Sequence, residues 1–280
     1  MAICLSIASW SFHRALESGQ QDMFKYITDC KELGCTQLDP WNGHLAPLIA
    51  EDEQIRASAN PTQTTFSPAG LEYVARVKAA ADAVGLPFGC IAADGSHVWE
   101  PTQVERDANR ACAYRWLDVA HRLGAESMRT DTGGKAELPD DMFAIIVDGL
   151  QDIVNQGRQL GVRVSIENHW GASNIPKNVI RVLDAVDGLT LLFDSRNWAK
   201  GTREEGWQLG VPRAKDVHID IFKTQENPDT LEQDLTRLIK MLVDAGYDGC
   251  WGIEALPPDD EYNGIRQSMA FIEKTVTSLS

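Results

Sequence analysis

The six cysteines (Cys4, Cys30, Cys35, Cys90, Cys112 and Cys250) contain no C-x-x-C pair and no zinc-ribbon spacing, so nothing in their pattern marks a metal finger. Most sit in apolar segments, and the expectation is six reduced packing residues in a reducing, cytoplasmic compartment. A basic patch is also missing. Lys and Arg are scattered singly along 280 residues whose net charge is −15, which disfavours a phosphate-backbone partner and so a nucleic acid. No apolar run reaches the length of a membrane span. No basic region precedes the first strand-like run, so no signal peptide is expected. No G-x-G-x-x-G follows that run, which counts against an open dinucleotide-binding sheet.

What is present is an alternation. Apolar runs at 3–9, 35–38, 86–92, 125–129, 162–170, 189–198, 216–223 and 249–256 read as short buried strands. Between them lie helical patterns, several of them closed by a glycine such as Gly34, Gly85 or Gly124, the expected C-cap residue. In the stretch opened by Pro139, the residues Phe143, Ile146, Val147, Leu150, Ile153 and Val154 repeat at three and four. Pro176 suits a first helical turn, and Thr230-Leu231-Glu232-Gln233 has the form of a capping box. About eight strand-helix units imply parallel pairing through right-handed crossovers. The length suits one domain, so residues 1–280 are expected to form a single (β/α)8 TIM barrel. Residues 41–70 carry Pro47, Pro61 and Pro68 with weak periodicity, and are expected to form a cap loop over the active face.

Four of the predicted strands end alike. VRVSIENHW, LTLLFDSRNW, DVHIDIFK and GCWGIEAL place Glu167, Asp194, His218 and Glu254 at or near the carboxyl ends of the fifth to eighth strands. In a barrel these ends form the active face, and neighbouring strands would bring the four side chains to one point. Alone, each is as simply a satisfied carboxylate, a helix cap or a core histidine. Together, three carboxylates and one imidazole suit one divalent metal ion, Mn²⁺, Mg²⁺, Co²⁺ or Zn²⁺.

The motifs IENH, FDSRN, VHID and WGIEAL resemble those of the xylose isomerase-like barrel superfamily. The branch is that of sugar isomerases and epimerases, with the ketose 3-epimerases, inosose dehydratase and ketoinositol isomerase. The resemblance runs along the whole chain but is specific only in its second half. It implies that Glu167, Asp194, His218 and Glu254 bind one divalent metal. It also implies that Glu167 and Glu254 face each other across the substrate and move protons. One departure stands out. Where relatives often read H-x-K-D, Asp220 occupies the lysine place and Lys223 comes later, which gives no support for a phosphorylated substrate.

Other residues follow putative strands and are expected at the mouth. Trp10, Trp41, Trp170 and Trp198 could pack on the C–H faces of a sugar and exclude water, or could anchor loops. Arg129 and Lys135 could hold an anionic or oxygen-rich group. His13, His44 and His97 could reach the mouth or be bystanders. Asn168 and His169 are expected to orient Glu167. Asn197 and Asp220 complete the expected substrate-binding set of Trp10, His13, Trp41, Arg129, His169, Asn197, Trp198 and Asp220.

The leading reading is a metal-dependent isomerase or epimerase of a small-molecule sugar or keto-polyol, working through an enediolate. The alternative is a lyase or dehydratase on a cyclic keto-polyol or keto-glycoside. An endonuclease IV-like enzyme needs more histidines and has His where Asn197 stands. A barrel that only binds a ligand would not need the acid/base pair. Relatives often form dimers or tetramers, so a homo-oligomer is expected by analogy only.

Overall fold

A computed structural model of the protein describes residues 3–222 and 231–279. The strands are β1 (Leu5–Ile7), β2 (Cys90–Ala92), β3 (Ser127–Thr130), β4 (Arg163–Glu167), β5 (Thr190–Asp194), β6 (Ala214–Ile219) and β7 (Trp251–Ile253). The helices are α1 (His13–Glu17), α2 (Met23–Leu33), α3 (Ala46–Ala57), α4 (Pro68–Val84), α5 (Gln103–Leu123), α6 (Asp140–Leu160), α7 (Pro176–Ala185), α8 (Arg203–Gly210), α9 (Leu231–Asp244) and α10 (Glu261–Leu279). All strand pairs are parallel, in the order β1-β7-β6-β5-β4-β3-β2. This is the α/β TIM barrel expected from the alternation, with helices outside and strands inside.

The second strand expected along the chain, at 35–38, forms no regular strand. The chain there still runs between β1 and β2, bridging Ala8 to Asp39, Leu38 to Phe88 and Trp41 to Ala92. The cause is chemical. Pro40 has no N–H to give the ladder, and the Cys90 N–H donates to the Asp39 carboxylate at 2.9 Å where a strand would offer a carbonyl.

Helix boundaries follow local signals closely. α2 ends at Gly34, whose φ of 90° is a left-handed conformation that a side chain would oppose. Pro139 caps α6 rather than opening it, and Pro176 is the first residue of α7. The α6 residues Ile146, Leu150, Ile153 and Val154 are buried as their spacing requires, while Phe143 and Val147 are half-buried. The proposed capping box begins at Thr230, which, like Lys223, lies outside the described residues.

Two expectations need correction. Residues 41–70 are not a structureless loop, because α3 lies within them. Its inward face carries Asp52, which pairs with Arg56 Nε at 2.7 Å and with the buried Arg115 Nε at 2.8 Å. A charged residue on the buried face hides the apolar period. The six cysteines are not all reduced either. Cys4 and Cys250 form a disulfide, invisible to spacing because β1 and β7 are neighbours only once the barrel closes. Cys30, Cys35, Cys90 and Cys112 are buried free thiols, and the compartment argument built on six reduced thiols falls. No helix among the described residues is long and apolar enough to cross a membrane.

His44 is not at the mouth but buried beneath it, with Nδ1 3.0 Å from Ser9 Oγ and Nε2 3.1 Å from Gln21 Oε1. Burial keeps the imidazole neutral and lowers its pKa from 6.5 to about 4. Between those values the unfolded chain binds a proton that the native protein refuses, so stability falls as pH falls through this window. In urea unfolding, the wild type should lose up to about 3 kcal/mol more than His44→Gln between pH 7 and pH 4.

Candidate active site

Strand register builds the site. Asp194 pairs with His218, and His218 with Gly252, across β5, β6 and β7. Glu167 closes β4, and Glu254 follows β7, its N–H donating to Ile219 O at 3.1 Å. Alternate residues on these strands share the barrel's interior. Below the cluster, Arg163 pairs with Asp216 at 2.6 Å and Ser165 Oγ meets Thr190 Oγ1 at 2.8 Å. This polar lower layer extends the period of two that carries Arg163, Ser165 and Glu167 on β4.

Glu167, Asp194, His218 and Glu254 are all buried, and each offers a ligand atom within 4.8 Å of the others. His218 Nδ1 lies 2.9 Å from Glu254 Oε2. Asp194 uses one oxygen, Oδ1, to accept the Arg196 and Asn197 N–H groups at 2.7 and 2.8 Å. Its other oxygen, Oδ2, is buried with no hydrogen-bond partner. The charge this crowding creates is visible in the proton affinities. Burial pushes the Asp194 carboxyl up to about 7, helped by Glu254 and Glu167 and opposed by Arg196. Burial would lower His218, but Glu254, Glu167 and Asp194 outweigh it and carry it to about 9. Glu254 goes the other way. Arg196 and His218 overcome its burial and hold its carboxyl well below the usual range. An orphaned carboxylate oxygen among excess negative charge fits a hard divalent cation.

A cavity of about 350 Å³ opens over the cluster. Of the expected substrate-binding residues, Trp10, Trp41, Arg129, His169 and Asn197 line it. Trp10 and Trp41 meet nearly at right angles, 4.8 Å between ring centroids, and form an apolar corner. Asn197 Nδ2 donates to Glu167 Oε1 at 3.2 Å.

Three residues of that set do not line the cavity. His13 stacks behind Trp10 at 4.6 Å and bonds its carbonyl. Trp198 is buried against Phe193 and Gly206 and anchors the loop after β5. Asp220 is buried beside the cavity, where it pairs with Arg196 at 2.6 Å. Trp170 is exposed and packs edge-on to His97. Lys135 is not among the lining residues.

Arg129 is not a free anion receptor. Its Nη1 donates to Asp94 at 2.7 Å and Asp131 at 2.8 Å, and its Nε lies 3.1 Å from Glu167 Oε2. Asn168 orients Asp194 rather than Glu167. Its amide exchanges two hydrogen bonds with the Asp194 backbone, at 3.0 and 2.8 Å. His169 faces Asp131 at 3.4 Å. Burial would lower its pKa, but Glu167 and Asp131 raise it to about 9.

Sequence reasoning missed Arg196, Asp94 and Asp39, all of which line the cavity. Arg196 had a signal, standing two residues beyond Asp194 inside FDSRN. Asp94 also had one, closing the run that ends in β2; its carboxylate accepts from Trp41 Nε1 at 2.7 Å.

A family model described as xylose isomerase-like TIM barrel matches residues 27–275. The chain belongs to the xylose isomerase-like TIM barrel family. Among solved structures of this fold, L-ribulose 3-epimerase superposes with a TM-score of 0.73 at 12% identity, covering 99% of this chain and 96% of its own. The probable 3-DHS dehydratase involved in petrobactin synthesis from Bacillus anthracis gives 0.69 at 14% identity, covering 97% and 99%. A xylose isomerase-like barrel from Mycobacterium smegmatis, in complex with magnesium, gives 0.66 at 16% identity, covering 92% and 89%. At such identities these likenesses speak for the shared fold alone. No protein of curated function matches the sequence significantly.

Gly252 is the close approach on which His218 depends. A Cβ there would lie 2.4 Å from Val217 O and 2.9 Å from His218 Cδ2, inside a backbone pair that cannot spread. Gly252→Ala should destabilise the fold by about 1–3 kcal/mol in urea unfolding.

Proposed function

We propose that this protein is a divalent-metal-dependent isomerase or epimerase of a sugar or keto-polyol. The observation that carries the reading is the convergence of Glu167, Asp194, His218 and Glu254, from four successive strand ends, on one buried point beneath a pocket. Those four residues would hold the cation. When bound, it supplies Lewis acidity at a substrate carbonyl and its adjacent hydroxyl. The rest is the work of this chain's own groups. Trp10 and Trp41 bind the apolar face of the sugar and keep water out. One of Glu167 and Glu254 takes the proton next to the carbonyl, and the other returns a proton to the neighbouring atom or the opposite face. Asn197 and Arg129 hold Glu167 in place, each on one of its oxygens. Every described cation lining the pocket faces a carboxylate, which supports an uncharged substrate rather than a phosphorylated one.

The test is incubation with Mn²⁺ or Mg²⁺ and a panel of ketoses and inososes in D2O. Deuterium in a sugar of otherwise unchanged mass is the expected result. Loss of water or of an aglycone instead makes the protein a lyase or dehydratase using the same groups, the second reading. No solvent exchange on any ketose makes it a binding barrel. On the substrate so found, Glu167→Gln and Glu254→Gln should each lower kcat by about 10²- to 10⁴-fold. Chelation should abolish activity, and added Mn²⁺ should restore it.

A further inference from the structure

We infer that the fixed positive charge of Arg196, set against one oxygen of Glu254, limits how tightly the cluster takes a divalent cation. The inference rests on the metal-binding reading above.

Arg196 sits in the loop after β5, its side chain only 11% exposed. Nη2 donates to Glu254 Oε1, while Glu254 Oε2 is the oxygen beside His218 Nδ1. Arg196 thus occupies one carboxylate oxygen and leaves the other to the cluster, so Glu254 can offer a cation a single oxygen. Nη1 donates to Asp220 Oδ2 at 2.6 Å, and Nε lies 3.8 Å from Asp194 Oδ1. Two of the three carboxylates around this guanidinium are therefore members of the cluster itself.

The anchors on both sides are stiff. Asp220 Oδ1 accepts the Phe222 N–H at 2.8 Å, and the Asp220 N–H donates to Ser195 Oγ at 3.2 Å. The Arg196 backbone is tied to Asp194, and Trp207 Nε1 donates to Ser195 O at 3.0 Å. Arg196 is not a solvent-exposed arginine that drifted inward.

Arg129 supplies the contrast. It reaches Glu167 in a similar way, but Asp94 and Asp131, neither of them in the cluster, offset its charge. Among the described residues, Asp220 is the one carboxylate partner of Arg196 outside the cluster. A fixed positive charge within hydrogen-bond reach of ligand carboxylates opposes a second cation at those same oxygens. The cluster then binds its ion more weakly than three carboxylates and an imidazole otherwise would, and the ion stays exchangeable.

The test is calorimetric titration of metal-stripped protein with MnCl2 alone, in wild type, Arg196→Gln and Arg196→Lys, each checked for a cooperative thermal melt. Arg196→Gln should bind Mn²⁺ about tenfold more tightly, and Arg196→Lys, which keeps the charge, should stay within about threefold of wild type. An arginine with a merely structural role would leave affinity unchanged or, by loosening Glu254, weaken it. Either result with Arg196→Gln overturns the inference while the metal reading stands. Should Arg196→Gln not fold, Arg196→Met, which also removes the charge, takes its place, and unchanged or weaker Mn²⁺ binding there overturns the inference. If the wild type binds no divalent ion, the metal reading fails first and this inference falls with it.

Discussion

Burying three carboxylates and an imidazole within 4.8 Å of one another is the condition the rest of this structure answers. In a low-dielectric interior such a group repels itself and resists desolvation. The protein meets this from two sides. Arg129 and Arg196 bring positive charge to Glu167 and Glu254, and backbone N–H groups of the next loop stabilise Asp194. What remains uncompensated is Asp194 Oδ2 above all.

The barrel makes that concentration of charge feasible. Parallel register aligns Asp194, His218 and Gly252 across three strands, so no loop has to reach for the site. The missing Cβ at Gly252 lets the His218 ring lie against the neighbouring strand. Helices outside and a polar lower layer inside hold these strands fixed.

The architecture and the four cluster residues were legible because each rests on local rules. Apolar runs of strand length, glycines after helices, and a polar residue where a run ends can all be read without knowing the fold. The misses share another cause, since they depend on who becomes whose neighbour. Cys4 and Cys250 stand 246 residues apart in sequence and meet only at closure. α3 was hidden because its buried Asp52 is satisfied in part by Arg115, 63 residues further on, beside the local Arg56. Trp198 and Trp10 follow strands in the same way, yet Gly206 and Phe193 draw one inward while the other faces the pocket. Arg196 carries a local signal, but its partner Asp220 lies just past the end of the next strand, β6, and is near it only in the fold.

The stave at residues 38–41 forms only isolated bridges, yet its backbone bonds both neighbours: Ser9 N–H donates to Asp39 O at 3.1 Å, and Gly89 and Ala92 N–H donate to Leu38 O and Pro40 O at 2.8 and 3.0 Å. On its far side, β1 is paired to β7 and tied by a covalent link near their starts. Trp41 is the first residue past Pro40, its N–H donates to Ser9 Oγ at 2.8 Å and its Nε1 to Asp94 at 2.7 Å, so an irregular stave still carries the aromatic wall of the cavity as a fixed part of the barrel.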